Sequence, residues 1–134
     1  MDIQQDIRES SQLTVESGTY TGSWGGFTTS IETEIEWIRE GQFINLLIVP
    51  TAVEQDGTSD DTSFVISAMP AFLRPSILRI TWPVRVKNNG VYTLAPIRVD
   101  AAGTLTVFSG PSTAVFTASG LKGLGGSTDI RYRL

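Results

Sequence analysis

The chain has 134 residues, no cysteine and no histidine, and a formal net charge of −4. The missing residue types exclude disulfides, thiolate chemistry, the usual zinc sites and the ordinary general base at neutral pH. The length fits one domain with one core, and no apolar run approaches the ~20 residues that a membrane-spanning helix needs. We therefore expect a soluble domain that is made in the cytosol.

The charge is unevenly distributed along the chain. Residues 1–61 hold 12 of the 14 acidic residues and 2 of the 10 basic ones, whereas residues 62–134 hold 2 acidic and 8 basic residues. The two halves either compensate each other inside one domain or form oppositely charged surfaces that meet between copies. The basic residues alternate with apolar ones and are not clustered with a stacking platform, so no nucleic acid partner is expected.

Residues 1–17 differ in composition from the rest. Ile3 and Ile7 lie at helical spacing in a polar setting, but so short a helix is marginal by itself. With Leu13 they are the main apolar side chains that could anchor this segment. Each would stabilise the ordered segment by roughly 1.5–3 kcal/mol if fully buried, whereas ordering costs about 1–2 kcal/mol for every residue. We predict an N-terminal arm that becomes ordered against a neighbour, followed by one domain over residues 18–134.

A hairpin organises the predicted domain, and its first strand covers residues 31–39. Apolar or β-branched residues alternate there with Glu32, Glu34 and Glu36, as in a strand with one buried face and one wet face. The strand repeat places these carboxylates ~7 Å apart. That spacing favours a solvated or arginine-paired face over a catalytic pair or a metal site.

The second strand of the hairpin follows a turn at Glu40 and Gly41. Residues 43–49 are apolar on both faces of the strand, which indicates a central strand covered on both sides. A partner sheet covers only one face, so Phe43 and Leu47 are candidate contacts between subunits. The prediction is a homo-oligomer.

The remaining sequence predicts short strands at intervals near ten residues. Polar, proline-containing or glycine-rich segments separate them at residues 51–62, 69–75, 88–90 and 120–126, the last interpreted as a crossing loop. Asn89 and Gly90 are typical of a two-residue type I′ hairpin turn. The pattern predicts an all-β fold, an antiparallel β-sandwich or jelly roll with a short N-terminal arm. The further strands are predicted at residues 19–24, 63–67, 78–87, 91–99, 104–108, 113–117 and 128–134.

Alternation also predicts the core. In residues 78–87 the even-numbered side chains are apolar and share one face, and Pro83 indicates an edge or a bulge. Trp82 is accordingly assigned to the interior. The predicted core consists of Ile35, Trp37, Leu46, Ile48, Leu78, Ile80, Trp82, Val84, Ile130 and Tyr132.

No segment carries a complete catalytic, cofactor or metal motif. The stretch from Asp56 to Asp61 has the oxygen-rich composition of a calcium loop but not its register. Residues 120–126 fail the phosphate-loop pattern, and a serine nucleophile would need a lysine base for which no motif is present. We predict neither catalytic residues nor cofactors, and the three tryptophans are assigned to core packing in preference to a sugar-stacking platform.

Five short segments, taken in order and spacing, resemble a β-domain found in virion proteins of tailed bacteriophages. In those proteins it forms head decorations, head fibres or the C-terminal module of tail fibres. The resemblance covers residues 18–134. The segments are GTYTG (18–22), WIREGQ (37–42), MPAFLRP (69–75), NNG (88–90) and FTASGLKGL (116–124).

The resemblance implies a trimer that acts by binding. The short stretch ahead of the domain favours a capsid decoration, cement or short head-fibre protein, made in the host cytoplasm and incorporated into the virion. Its arm and its acidic face would contact the major capsid protein or another virion protein, with no membrane involved. The alternatives are a receptor-binding tail-fibre tip that recognises host surface glycan, and a small glycan hydrolase that uses two of the acids.

Overall fold

The computed structural model describes residues 15–49 and 55–134. Over these ranges the chain forms ten β-strands and a single 3₁₀ turn at Ala71–Leu73, which confirms the all-β prediction. Within the same ranges no helix is long and apolar enough to cross a membrane. The strands are β1 (Val15–Gly25), β2 (Ile31–Glu40), β3 (Phe43–Ile48), β4 (Gln55–Thr58), β5 (Val65–Ser67), β6 (Arg79–Asn88), β7 (Val91–Val99), β8 (Leu105–Val107), β9 (Leu121–Leu124) and β10 (Thr128–Arg133).

All described strands belong to one antiparallel sheet in the order β10-β3-β2-β1-β5-β8-β7-β6-β9-β4. The sheet curls so that β10, at one edge, contacts β6 near the other. Side chains of β6 hold the two strands together: Arg79 Nε donates to the carbonyl oxygen of Arg133 at 2.9 Å, and Thr81 Oγ1 donates to that of Arg131 at 3.1 Å. One curled sheet therefore encloses the core.

The first residues that the structure describes belong to the sheet. Val15, Glu16 and Ser17, predicted as part of the arm, begin β1 and pair with Glu40, Arg39 and Ile38 of β2. The anchors proposed for the arm, Ile3, Ile7 and Leu13, lie outside the described residues.

Both predicted hairpins form. β2 and β3 are joined by Gly41 and Gln42, and β6 and β7 by Asn89 and Gly90. The latter pair have φ values of 48° and 80°, the left-handed backbone that a type I′ turn requires. Asn tolerates this conformation and Gly adopts it without strain.

The core lies inside the curl and contains most of the side chains expected there. An aromatic cluster forms one end, with Phe64 in contact with Trp24, Phe27 and Phe116 at ring-centroid distances of 4.9, 5.1 and 5.6 Å. Tyr132 closes the other end by donating its hydroxyl to the carbonyl oxygen of Leu73 at 2.7 Å, and burial raises the pKa of Tyr132. The predicted core residues that are buried are Ile35, Trp37, Leu46, Ile48, Val84, Ile130 and Tyr132.

The prediction was wrong for the beginning of β6. Ile80 is 61% exposed and Trp82 is 52% exposed. Thr81 pairs with Ile97 but Val84 pairs with Ala95, so β6 contains one residue more than β7 at this point. An extra residue inverts the alternation of faces, so the side chains before the bulge point outward while Val84 and those after it resume the core pattern. Leu78, just before the strand, is 49% exposed.

Three other segments also differ from the prediction. Residues 51–62, predicted as a polar segment between strands, contain β4. Residues 120–126, interpreted as a crossing loop, contain β9, which pairs with β4 on one side and β6 on the other. Residues 113–117 form no strand; the Ser109 backbone N–H donates to the carbonyl oxygen of Ala114 at 2.9 Å and its hydroxyl to that of Val115 at 2.8 Å. Glycine-rich sequence lacks local strand preference, so its pairing depends on the neighbouring strands.

The ammonium group of Lys122, on β9, is buried in the core. It donates hydrogen bonds to the carbonyl oxygens of Asp61, at 2.7 Å, and Ser63, and lies 5.0 and 5.6 Å from the ring centroids of Phe27 and Phe116. Burial lowers the pKa of Lys122, and the Asp61 and Asp60 carboxylates oppose that shift. The lysine therefore joins β9 to the loop before β5.

Gly26 packs directly against the Lys122 contact, which is possible because glycine has no side chain. Its φ is +98°, and a Cβ there would clash with the carbonyl oxygen of Ser63 and lie 3.0 Å from Lys122 Nζ. A side chain at position 26 is therefore incompatible with the Lys122 contacts.

Replacing Lys122 with Met is expected to destabilise the protein by about 1–3 kcal/mol, the cost of leaving a buried carbonyl without its donor. The Ser63 carbonyl loses the lysine, whereas the Asp61 carbonyl keeps the Ser59 hydroxyl at 2.8 Å. Chemical denaturation measures the effect. The exposed variant Arg85→Met is the control and should cost less than about 1 kcal/mol; equal costs would contradict a structural role for the buried ammonium.

Phe64→Ala and Trp82→Ala should differ strongly in stability. Phe64 is 1% exposed and its loss leaves a cavity in the core, which should cost about 3–5 kcal/mol. Trp82→Ala removes a side chain that is already half exposed, so it should destabilise the protein by less than half of that amount. Thermal or urea unfolding of both variants checks the comparison, and a Trp82→Ala variant as unstable as Phe64→Ala would place Trp82 in the core after all.

Candidate functional site

The outward side of β2, β3 and β10 forms a continuous surface, which we call the β2–β3–β10 face. Glu36 of β2 pairs with Leu47 of β3, and Leu47 pairs with Asp129 of β10. The rows on either side of this one follow the same register. The outward residues are Glu32, Glu34, Glu36 and Ile38 of β2, Phe43, Asn45 and Leu47 of β3, and Asp129, Arg131 and Arg133 of β10.

An apolar strip runs through the middle of this face. Ile38 is 42% exposed, Phe43 40% and Val49 42%, and Leu47 is partly exposed between them. A shallow depression of about 240 Å³ lies over the strip, lined by Glu36, Ile38, Asn45, Leu47 and Asp129. The second face of β3, expected to be covered, is therefore open in the single chain.

Carboxylates dominate one side of the strip. Glu32, Glu34 and Glu36 are exposed and lie opposite Ser23, Thr21 and Thr19 of β1, which offer hydroxyls but no charge. In the described part of the chain none of these three glutamates forms an ion pair. On the other side of the strip, the Arg131 guanidinium lies 4.7 Å from the centroid of the Phe43 ring.

The structure thus brings together the candidate interface residues that it describes. Phe43, Leu47 and the three glutamates all belong to the β2–β3–β10 face, whereas the arm residues Ile3, Ile7 and Leu13 lie outside the described ranges. Sequence alternation located the face correctly because β2 is regular along its whole length.

The acidic stretch after β4 has no cation-binding arrangement within residues 55–134. Asp56 Oδ2 forms an ion pair with Lys87 Nζ at 2.7 Å. Asp61 Oδ1 accepts the backbone N–H of Ser63 at 3.1 Å, and this hydrogen bond lowers the pKa of the Asp61 carboxyl. Nor do three or more acidic side chains converge on a metal-sized site anywhere in the described ranges.

A second outward surface, the β6–β7 face, was not found from the sequence. Its apolar members are Ile80, Trp82 and Leu94, exposed at 61%, 52% and 49%. Its basic members are Arg85, across from Leu94, and Arg98, across from Ile80. The clue in the sequence was Pro83, because proline in a strand indicates a bulge beyond which the outward residues change.

Aromatic and basic side chains are in contact on this second face. The Arg85 guanidinium lies 4.1 Å from the centroid of the Tyr92 ring, and Lys87 Nζ lies 5.2 Å from the same ring. Of the three tryptophans considered as a sugar platform, Trp24 and Trp37 are buried, and Trp82 alone is exposed. A platform of three tryptophans is therefore not formed.

Comparison with known proteins gives a weak structural similarity. A scan against known protein families finds no match, and a search of curated proteins finds none either. Among solved structures, the chain is similar to the reovirus attachment protein sigma1, crystallised in complex with α-2,3-sialyllactose, with a TM-score of 0.48 and 13% identity. The alignment covers 90% of this chain and 66% of the length of that one.

Glu34→Gln should stabilise the isolated protein at low salt. Glu34 is the middle of three like charges, each neighbour ~7 Å away, and each such pair costs about 0.6 kcal/mol in water, so removing both gives a gain of up to ~1 kcal/mol. The gain should vanish near 1 M salt, where the Debye length is about 3 Å. Thermal unfolding at both salt concentrations measures it; a loss of stability at low salt would mean that Glu34 has a cationic partner.

Proposed function

We propose that this protein is an adhesive structural component of a bacteriophage particle, a capsid decoration or cement protein or a short head fibre. The observation that carries the proposal is the β2–β3–β10 face, which combines an exposed apolar strip with carboxylates that form no ion pair among the described residues. Exposed apolar strips with a polar rim are typical of surfaces that bind other proteins.

The composition of the face fits binding by a broad surface. Ile38, Phe43 and Leu47 offer apolar area to a partner, and Glu32, Glu34 and Glu36 select partners of opposite charge. The depression over the strip is shallow and lined by side chains of three different strands. In this proposal the protein acts by binding and not by catalysis.

The partners in this proposal are other copies of the chain, arranged as a homotrimer, and the major capsid protein or another virion protein. Like charges along β2 destabilise the isolated domain, so the arrangement is useful only if a basic surface covers it in the assembly. The bacteriophage assignment rests on the sequence resemblance described above. The location is the virion, after synthesis in the host cytoplasm.

A second candidate function, a receptor-binding tail-fibre tip, has one observation in its favour. Trp82 and Tyr92 are exposed on the β6–β7 face, and Tyr92 lies beside Arg85. Aromatic rings stack on sugar rings, and a guanidinium pairs with the carboxylate of an acidic sugar. Under this hypothesis Trp82→Ala abolishes binding to a glycan array.

The double variant Ile38→Ser/Phe43→Ser should bind its particle about 30-fold more weakly. Each substitution removes about 1 kcal/mol of binding free energy, which the side chain would gain by becoming buried against the particle. Every 1.4 kcal/mol is a factor of ten in affinity. The measurement is binding of the labelled protein to purified particles grown without it. Val115→Ser is the control, because Val115 is 67% exposed and belongs to neither face.

Copy number separates the two candidate functions. A decoration protein should be present in a number set by the symmetry of the head, whereas a tail tip should be present in the few copies that the tail carries. Quantitative mass spectrometry of purified particles counts them. A tail-like copy number, together with glycan binding that Trp82→Ala removes, would overturn the decoration proposal in favour of the receptor-binding one.

A further inference from the structure

The two outward faces differ in charge, and we infer that the β6–β7 face of one copy binds the β2–β3–β10 face of the next. The inference deepens the proposed function, on which it rests, by naming the surface that covers the carboxylates of β2. The contact would be heterologous, since two different surfaces of the same chain meet.

The β6–β7 face is basic and apolar. Arg85 and Arg98 both belong to it, and its neighbouring carboxylate, Asp56, is already held by Lys87 at 2.7 Å. The Arg98 side chain is partly exposed, and its guanidinium lies 5.5 Å from the centroid of the Phe108 ring. The face therefore presents positive charge beside exposed apolar side chains.

The β2–β3–β10 face has the complementary composition. Glu32, Glu34 and Glu36 have no ion-pair partner in the described ranges, and the apolar strip containing Leu47 lies beside them. Apolar residues at the centre of each face would bury one another, while arginines would meet glutamates around them. One contact would then bury the apolar residues of both faces and pair their charged residues.

Pairing either face with itself is less favourable. Two β6–β7 faces would bring two arginine-bearing surfaces together, and like charges in apposition disfavour association. A two-fold contact of the β2–β3–β10 face would pair its glutamates with Arg131 and Arg133. That contact, however, leaves Ile80, Trp82 and Leu94 exposed to water.

A heterologous contact can be repeated from copy to copy until it closes into a ring. The two faces belong to different strands of one curled sheet and adjoin where β10 contacts β6. Each copy in a ring would use both faces. The trimer of the proposed function is one such ring.

Charge reversal tests the contact in solution. Glu36→Arg and Arg85→Glu each change one exposed residue on one face, and each variant alone should raise the dissociation constant of the oligomer at least tenfold in analytical ultracentrifugation. The double variant Glu36→Arg/Arg85→Glu should restore association, because every contact of the ring then pairs the new arginine with the new glutamate. Thermal unfolding of each variant checks that the fold is retained.

Three results would overturn the inference: wild-type protein that is monomeric at every concentration, Arg85→Glu protein that associates like wild type, or a double variant that fails to associate. If Glu36→Arg weakens association and Arg85→Glu does not, the two-fold contact through Arg131 and Arg133 replaces it. Monomeric protein that still binds particles would contradict this inference alone. Protein that associates as described but binds no particle would contradict the proposed function alone.

Discussion

The ammonium group of Lys122 imposes the strongest constraint on this fold. A charge inside an apolar core is costly unless hydrogen bonds replace its water, and here the carbonyl oxygens of Asp61 and Ser63 do so beside the rings of Phe27 and Phe116. These contacts fix β9 against the loop before β5, and β9 in turn joins β4 to β6. A glycine-rich segment with little strand preference thereby becomes part of the sheet.

The curl of the sheet determines what the molecule shows to its surroundings. Because one sheet encloses the core and β10 returns to contact β6, each strand has an inner side that is buried and an outer side that is free to bind. The outer side of β2, β3 and β10 is acidic with an apolar strip, and that of β6 and β7 is basic and apolar. The outward acidic residues of β2 and the outward arginines of β6 and β7 thus lie on different strands, while Asp56 and Lys87 pair across the two halves of the chain.

Stability and adhesion place opposite demands on these surfaces. Glu32, Glu34 and Glu36 repel one another. The exposed parts of the Ile80 and Trp82 side chains contribute no hydrophobic burial to the stability of the isolated chain. A protein selected only for its own stability would replace them, whereas a protein that assembles can recover their cost in the interface. The exposed residues therefore carry more information about function than the core does.

The sequence by itself determined the features that depend on neighbouring residues: the all-β class, the regular alternation of β2 with its row of glutamates, the β2–β3 hairpin and the turn at Asn89 and Gly90. Phe43 and Leu47 were candidate subunit contacts because their strand is apolar on both faces, but only its pairing with β2 placed them on the glutamate face. Only the tertiary structure decided the pairing of β9, the strand order and the outward position of Trp82. Alternation is a local property of a strand, but a bulge of one residue reverses its faces, and a partner strand distant in the sequence decides whether a glycine-rich segment joins a sheet.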